Sequence, residues 1–293
     1  MPPFSLLLLA CTPAATDSAW VDPAADDDWS GDIDSAGHVA EWDGDGVSAA
    51  FDDALAGGLP VPQTVLTSYL ELLSHMEDGC PGTEFSEGFV MLGGCTTSEG
   101  YTFRGSAGLI RSDARVYQSD GSWTGSFNLM TAPADYVIER PDGTALEAGG
   151  TLGVTLTRDN TLWNWNASIT GTMKDDGGTG WLATGYSGKF DLRGVSANGA
   201  VSQTLDGPLS VGSAALVFNS LEFDLNSCPD GAVGGSVDVR QPDATWYSVV
   251  LPDACGTCGA LTWDAGLGEI QDLGEACLDF TPIVDAIPTV SDA

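Results

Sequence analysis

Basic residues are scarce in this chain. Its 293 residues carry 9 Lys and Arg against 42 Asp and Glu, a net charge of −33. A phosphate backbone would be repelled by such a field, so nucleic acid is excluded as a partner. The surface collects cations instead, and the same charge keeps an exported protein soluble. Histidine is nearly absent: His38 and His75 are the only two, which removes the usual general base near neutral pH. No run approaches the ~18 consecutive apolar residues that a membrane-spanning helix requires. The nearest approach to a nucleophile elbow, Gly185-Tyr186-Ser187-Gly188-Lys189, fails at its last position. Carboxylates are too numerous for one pair to stand out as a glycosidase acid and base. Gly178-Thr179-Gly180 has no helix pattern after it and reads as a hairpin, not a dinucleotide loop. No residue pattern in the sequence marks a catalytic centre.

What is present begins with an address. Phe4 to Ala10 are apolar or small and end at Cys11. That pattern fits a short signal peptide over residues 1–10 with its cleavage site before the cysteine. Leu8-Leu9-Ala10-Cys11 resembles the lipobox of bacterial lipoproteins. The resemblance implies cleavage before Cys11, acylation of Cys11, and attachment to a membrane through the acyl chains. Each buried methylene contributes about 0.8 kcal/mol, so several chains hold firmly. Thr12 stands where an Asp would retain such a protein in the inner membrane, and the family then implies the outer membrane or cell surface. Lipobox, acidic leader, Gly/Thr-rich β body and late cysteines together resemble uncharacterised lipoproteins of Gram-negative bacteria, which implies anchorage and no particular activity.

Residues 12–53 hold twelve acids and no Lys or Arg. Such a segment repels itself and buries little, so residues 11–58 are expected to be a solvated tether. Within it, Glu41 to Asp52 can be laid on an EF-hand calcium loop. Glu41, Asp43, Asp45 and Asp52 fall at liganding positions 1, 3, 5 and 12, Gly46 at the turn, and the Val47 carbonyl at position 7. The terminal Asp resembles the dockerin variant. Calcium is the one cofactor this pattern offers; the competing reading is an Asp/Gly-rich linker that needs none.

Val65, Leu66, Tyr69, Leu70, Leu72, Leu73 and Met76 recur at helical spacing, which predicts an amphipathic helix over 64–77, closed by Gly79 and Pro81. From Phe89 the period becomes two. Trp163, Trp165, Ala167 and Ile169 alternate with Asn164, Asn166, Ser168 and Thr170, and similar runs surround Phe103, Phe127 and Phe223. Asp-Gly and Asn-Gly pairs punctuate the runs at 120–121, 142–143, 176–177, 198–199 and 230–231. The expected fold is mainly β, an antiparallel meander of roughly a dozen strands forming a curled sheet, barrel or sandwich. One domain is expected over 59–285, with a tail over 286–293. A transmembrane barrel is disfavoured by the cysteines, the leader and the lack of a terminal aromatic residue.

Seven cysteines are an odd number. With Cys11 taken by lipid, six remain, an even set suited to an oxidising compartment. Cys80 and Cys95 are the local pair. Cys228, Cys255, Cys258 and Cys277 allow three pairings; the preferred ones join Cys228 to one member of Cys255/Cys258 and Cys277 to the other. A C-x-x-C redox pair or a four-Cys zinc site is disfavoured, because a strand pattern follows Cys258 and the other two cysteines are isolated.

The leading functional expectation is a non-enzymatic, membrane-anchored β domain with a structural or binding role and an unidentified protein or small-ligand partner. Alternatives are a lipid or small-ligand carrier using the sheet's dry inner face, with the 64–77 helix as lid, and an extracellular hydrolase, which would need a cleft of convergent, pKa-shifted carboxylates.

Overall fold

The computed structural model describes residues 39–59, 72–85, 89–119, 123–159, 162–178, 183, 185–197, 200–211, 214–241, 245–264 and 270–285. The lipobox with Cys11, the leader up to residue 38, the first part of the predicted 64–77 helix and the 286–293 tail lie outside them. Of the predicted helix, Leu72 and Leu73 are helical and buried in the core, but it ends there and not at 77, because Glu77 is already bridged to Cys80.

The body is one antiparallel sheet. Its strands are β1 (Gly82–Phe85), β2 (Phe89–Leu92), β3 (Cys95–Thr96), β4 (Thr102–Asp113), β5 (Val116–Tyr117), β6 (Trp123–Glu139), β7 (Ala145–Asp159) and β8 (Leu162–Asp175). They continue as β9 (Tyr186–Ala197), β10 (Ala200–Val211), β11 (Ala214–Asp224), β12 (Gly234–Arg240), β13 (Trp246–Val250), β14 (Cys258–Asp264) and β15 (Ile270–Cys277). From β6 onward each strand pairs with the next in sequence, while β3 and β5 attach at the side. The order runs from β1 to β15 without a pairing between those two. Of the three forms expected, barrel and sandwich are set aside, and an open sheet remains.

Helix α1 (Gly44–Leu55) corrects the extent of the tether. Its Asp43 N-cap accepts the Gly46 N–H at 3.0 Å, satisfying a donor that the first turn would otherwise leave bare. Val47, Phe51, Ala54 and Leu55 recur on one face and are buried. The helix packs on β10, β11 and β12 and also on β15. Contact with strands so far apart in the order means that the sheet curls around the helix. Phe51 and Phe223 each meet Phe280 edge-on, with ring centroids 5.8 and 5.6 Å apart. Phe280 precedes the short helix α2 (Thr281–Asp285). Gly44 permits the fit, since a Cβ there would lie 2.2 Å from the Glu275 carbonyl oxygen. The acidic composition concealed this helix because its four apolar contacts are spaced among acids.

The long strands are creased along one line. Register breaks fall at Arg104/Ser106 in β4, between Thr131 and Tyr136 in β6, at Leu205/Gly207 in β10 and between Asn219 and Glu222 in β11. Between them, Gly150 faces Gly171, which faces Gly188. Asp135 and Ser220 both adopt positive φ, and the Ser220 N–H is held by Asp206 Oδ1 at 3.0 Å. Bulges and glycine kinks bend strands and raise their twist, so a row of them curves a wide sheet without breaking it.

Asp52, on α1, lies beside Asp279. Burial foremost, then the nearby charges of Asp279 and Asp53, hold its carboxyl above the usual range, partly offset by the Asp279 N–H. A raised carboxyl pKa means that the folded state prefers the protonated form. Ionisation therefore costs stability above that pKa, and the cost fades as the pH falls through it. Asp52→Asn is expected to raise the melting temperature at pH 7 and to give little gain at pH 4, as calorimetry at both values would show.

Candidate functional site

Among the described residues, two open concavities offer room for a ligand. The first lies where the chain enters α1. The Glu41 and Trp42 N–H groups donate to the Tyr247 hydroxyl oxygen at 2.9 and 3.0 Å, and that hydroxyl donates to Gln241 Oε1 at 2.7 Å. A phenol offers one proton and two lone pairs, and all three are used. Tyr247 is fully buried on β13, and its ring stacks on Trp42 at 5.2 Å. The segment before α1 is thus latched to the sheet. A cleft of about 560 Å³ opens beside it, lined by Glu41, Trp42, Asp43, Trp263, Gln271 and Leu273 among others. Its aromatics are committed to structure. One face of Trp42 is against Tyr247 and its base packs on Gly46, while the buried Trp263 indole N–H donates to Thr245 Oγ1 at 3.2 Å. Tyr247→Phe removes the acceptor of two part-buried N–H groups. It is expected to cost about 1–3 kcal/mol, measurable as a lower denaturant midpoint at unchanged slope.

Of the calcium-pattern residues, Glu41 and Asp43 line this cleft, and the set is not gathered into a loop. Asp43 caps α1, Asp45 stands in its first turn, and Val47 and Asp52 are within it, Val47 buried in the core. At about 1.5 Å of rise per residue, Asp43 and Asp52 are separated by more than two helical turns, whereas calcium needs its ligands within about 2.6 Å of one point. Helix formation, driven by the buried face of Val47, Phe51 and Leu55, overrides the loop pattern.

The second concavity is a trough of about 320 Å³ on the wet face of β8, β9 and β10. Asn164, Asn166, Arg193, Val195, Ser202 and Thr204 form its sides, and Gly194 and Gln203 lie between them. The sequence alternation already put Asn164 and Asn166 on a polar face. Only the register brings Arg193 and Thr204 into line with Asn166, and Val195 and Ser202 into line with Asn164. No carboxylate lines this trough. In so acidic a chain that is the signal by which sequence could have marked the place, had the strand pairing been known.

The carboxylates with shifted pKa are elsewhere. Hydrogen bonds from Ser98, Thr144, Ser227 and Thr281 respectively hold Glu77, Asp142, Asp224 and Asp279 below the usual range, and neither these nor Asp52 lines either of the two concavities described. His75 stacks on Tyr101 at 4.1 Å and reaches Glu99 at 3.3 Å, a small surface cluster beside the first disulfide.

Six cysteines pair: Cys80–Cys95, Cys228–Cys255 and Cys258–Cys277. The two late bridges are of the preferred kind, and the register resolves which member takes which partner, because Cys258 lies directly opposite Cys277. Cys255 and Cys258 belong to different bridges and are not a redox pair with each other. Cys258, Cys277 and Glu275 lie close enough to suggest a metal site, but both sulfurs are tied in the bridge and leave a single carboxylate. The chain matches no protein-family profile, no curated protein sequence and no solved structure.

Proposed function

We propose that the chain is a lipid-anchored extracytoplasmic protein whose β domain binds a partner and performs no chemistry of its own. The observation that carries the reading is the cysteine accounting. Six of the seven cysteines are used in three bridges, and the seventh is Cys11 of the lipobox-like Leu8-Leu9-Ala10-Cys11. Three disulfides suit an oxidising compartment, and a cysteine left out of the pairing suits acylation. The charge supports the same setting, since −33 keeps a tethered body soluble and away from anionic surfaces. The leader before Val39 serves as the tether. The Tyr247 latch on Glu41 and Trp42 is consistent with the tether ending there. Outer membrane or cell surface is the location this implies.

The binding reading draws on the two concavities, neither of which carries a carboxylate of shifted pKa. On the dry side, α1 and Phe280 fill the space over β10–β12. That favours a surface-binding role over a carrier with its ligand inside. The test is mass spectrometry of the mature N-terminus with detergent phase partition, for the wild type and Cys11→Ser. Acyl mass on Cys11 and partition into detergent, both lost in the variant, are expected. An unmodified Cys11, or Cys11 found in a disulfide, overturns the anchor.

A further inference from the structure

We infer that the trough across β8–β10, continued in register onto β7, binds a neutral oligosaccharide, laid perpendicular to the strands. The inference names a ligand for the binding role proposed above and does not depend on the lipid anchor. The register builds two parallel rows. One is Thr155, Asn166, Arg193 and Thr204; the other is Thr157, Asn164, Val195 and Ser202. Neighbouring strands are about 4.8 Å apart, so each row runs about 14 Å. Rows two residues apart along a strand are separated by about 7 Å. Alternation sends the buried Gln203 to the opposite face, and Gly194 has no side chain, so the floor between the rows is backbone. The result is a shallow polar track, long enough for about two to three sugar rings lying on it.

The chemistry of the walls selects the ligand. Asn164 and Asn166 each offer an amide that donates and accepts, the pairing that matches vicinal hydroxyls. Thr155, Thr157, Ser202 and Thr204 add hydroxyls. No side-chain hydrogen bond engages these six among the described residues, so their capacity faces outward. Val195, 37% exposed, gives an apolar patch for the C–H face of a ring. Charge then decides between classes. A cation would find no carboxylate in the lining. An anion would face the net charge of −33, and the one guanidinium, Arg193, is already paired with Asp191 at 3.0 Å. A neutral polyhydroxylated chain meets neither objection.

The experiment is isothermal titration and saturation-transfer NMR of the full chain with cellohexaose, maltohexaose and chitohexaose. Inorganic phosphate and spermidine serve as the anionic and cationic comparisons. At least one hexasaccharide is expected to bind. Asn164→Ala/Asn166→Ala is expected to weaken it at least tenfold with the melting temperature unchanged, because both side chains lie on the wet face. Val195→Glu, which puts a carboxylate in the trough, is a second variant with the same expected loss. The inference is overturned if no hexasaccharide binds, if binding survives both variants, or if only phosphate or spermidine binds. Detergent partition reads the anchor separately, so failure of one proposal is distinguishable from failure of the other.

Discussion

Replacing Arg140 with methionine is expected to lower the unfolding free energy by about 3–5 kcal/mol, the usual cost of stranding one member of a buried ion pair. Arg140 stands just past β6 and Asp175 at the end of β8, with β7 between. The guanidinium grips the carboxylate with two bonds of 2.7 and 2.8 Å. It also donates to Thr144 Oγ1 at 3.2 Å, while Asp175 Oδ1 accepts the Gly177 N–H at 2.9 Å. Both side chains are largely buried, at 18% and 8% exposure, so solvent screens the pair little. The pair therefore fastens the 140–144 turn to the 175–178 turn. Chemical denaturation of Arg140→Met checks the value. Arg140→Met/Asp175→Leu discriminates the cause: with both charges gone no ion is left unpaired, and the double variant should be more stable than the single. A double variant worse than the single would show that the pair contributes more than it costs to desolvate.

Gly150→Val is the second large effect, expected at about 3 kcal/mol or more. Gly150 sits in the crease at φ +86°, and a Cβ there would stand 2.0 Å from the Thr170 carbonyl oxygen. The Gly171 Cα follows at 2.5 Å; both obstacles are backbone, so no side-chain rotation relieves the clash, and a β-branched residue at positive φ adds strain of its own. Gly143 is the matched control. It has the same φ of +86° but nothing within 4 Å of its Cβ position. Gly143→Val should cost only the left-handed strain of a β-branched residue, about 1–3 kcal/mol. If the two substitutions cost the same, close approach across the crease contributes nothing.

The contrast between local and assembled features explains what could be read in advance. Alternation in β8 needs only neighbouring residues, so the wet positions Asn164 and Asn166 were legible. The Pro141-Asp142-Gly143 turn was legible for the same reason, and Thr144 N–H indeed bonds Asp142 Oδ1 at 2.9 Å. Helix α1 was not. Its amphipathic face is short and dressed in acids, and its stability comes from Phe280 and strands more than 140 residues away. Spacing of oxygens along a chain does not say whether the backbone will loop or coil, and over Gly44–Leu55 it coils.

By itself, then, the sequence determined the β class, the turns, the oxidised cysteine set and the excess of negative charge, because each follows from residue type and near-neighbour spacing. Tertiary structure alone decided that the sheet stays open, which late cysteine meets which, that Tyr247 latches the chain before α1, and that two asparagines, an arginine, a serine and a threonine share one trough with no carboxylate in its lining. Those outcomes depend on strand register and on burial against distant residues, and pairing between distant strands is set by the whole packed sheet, not by any one segment.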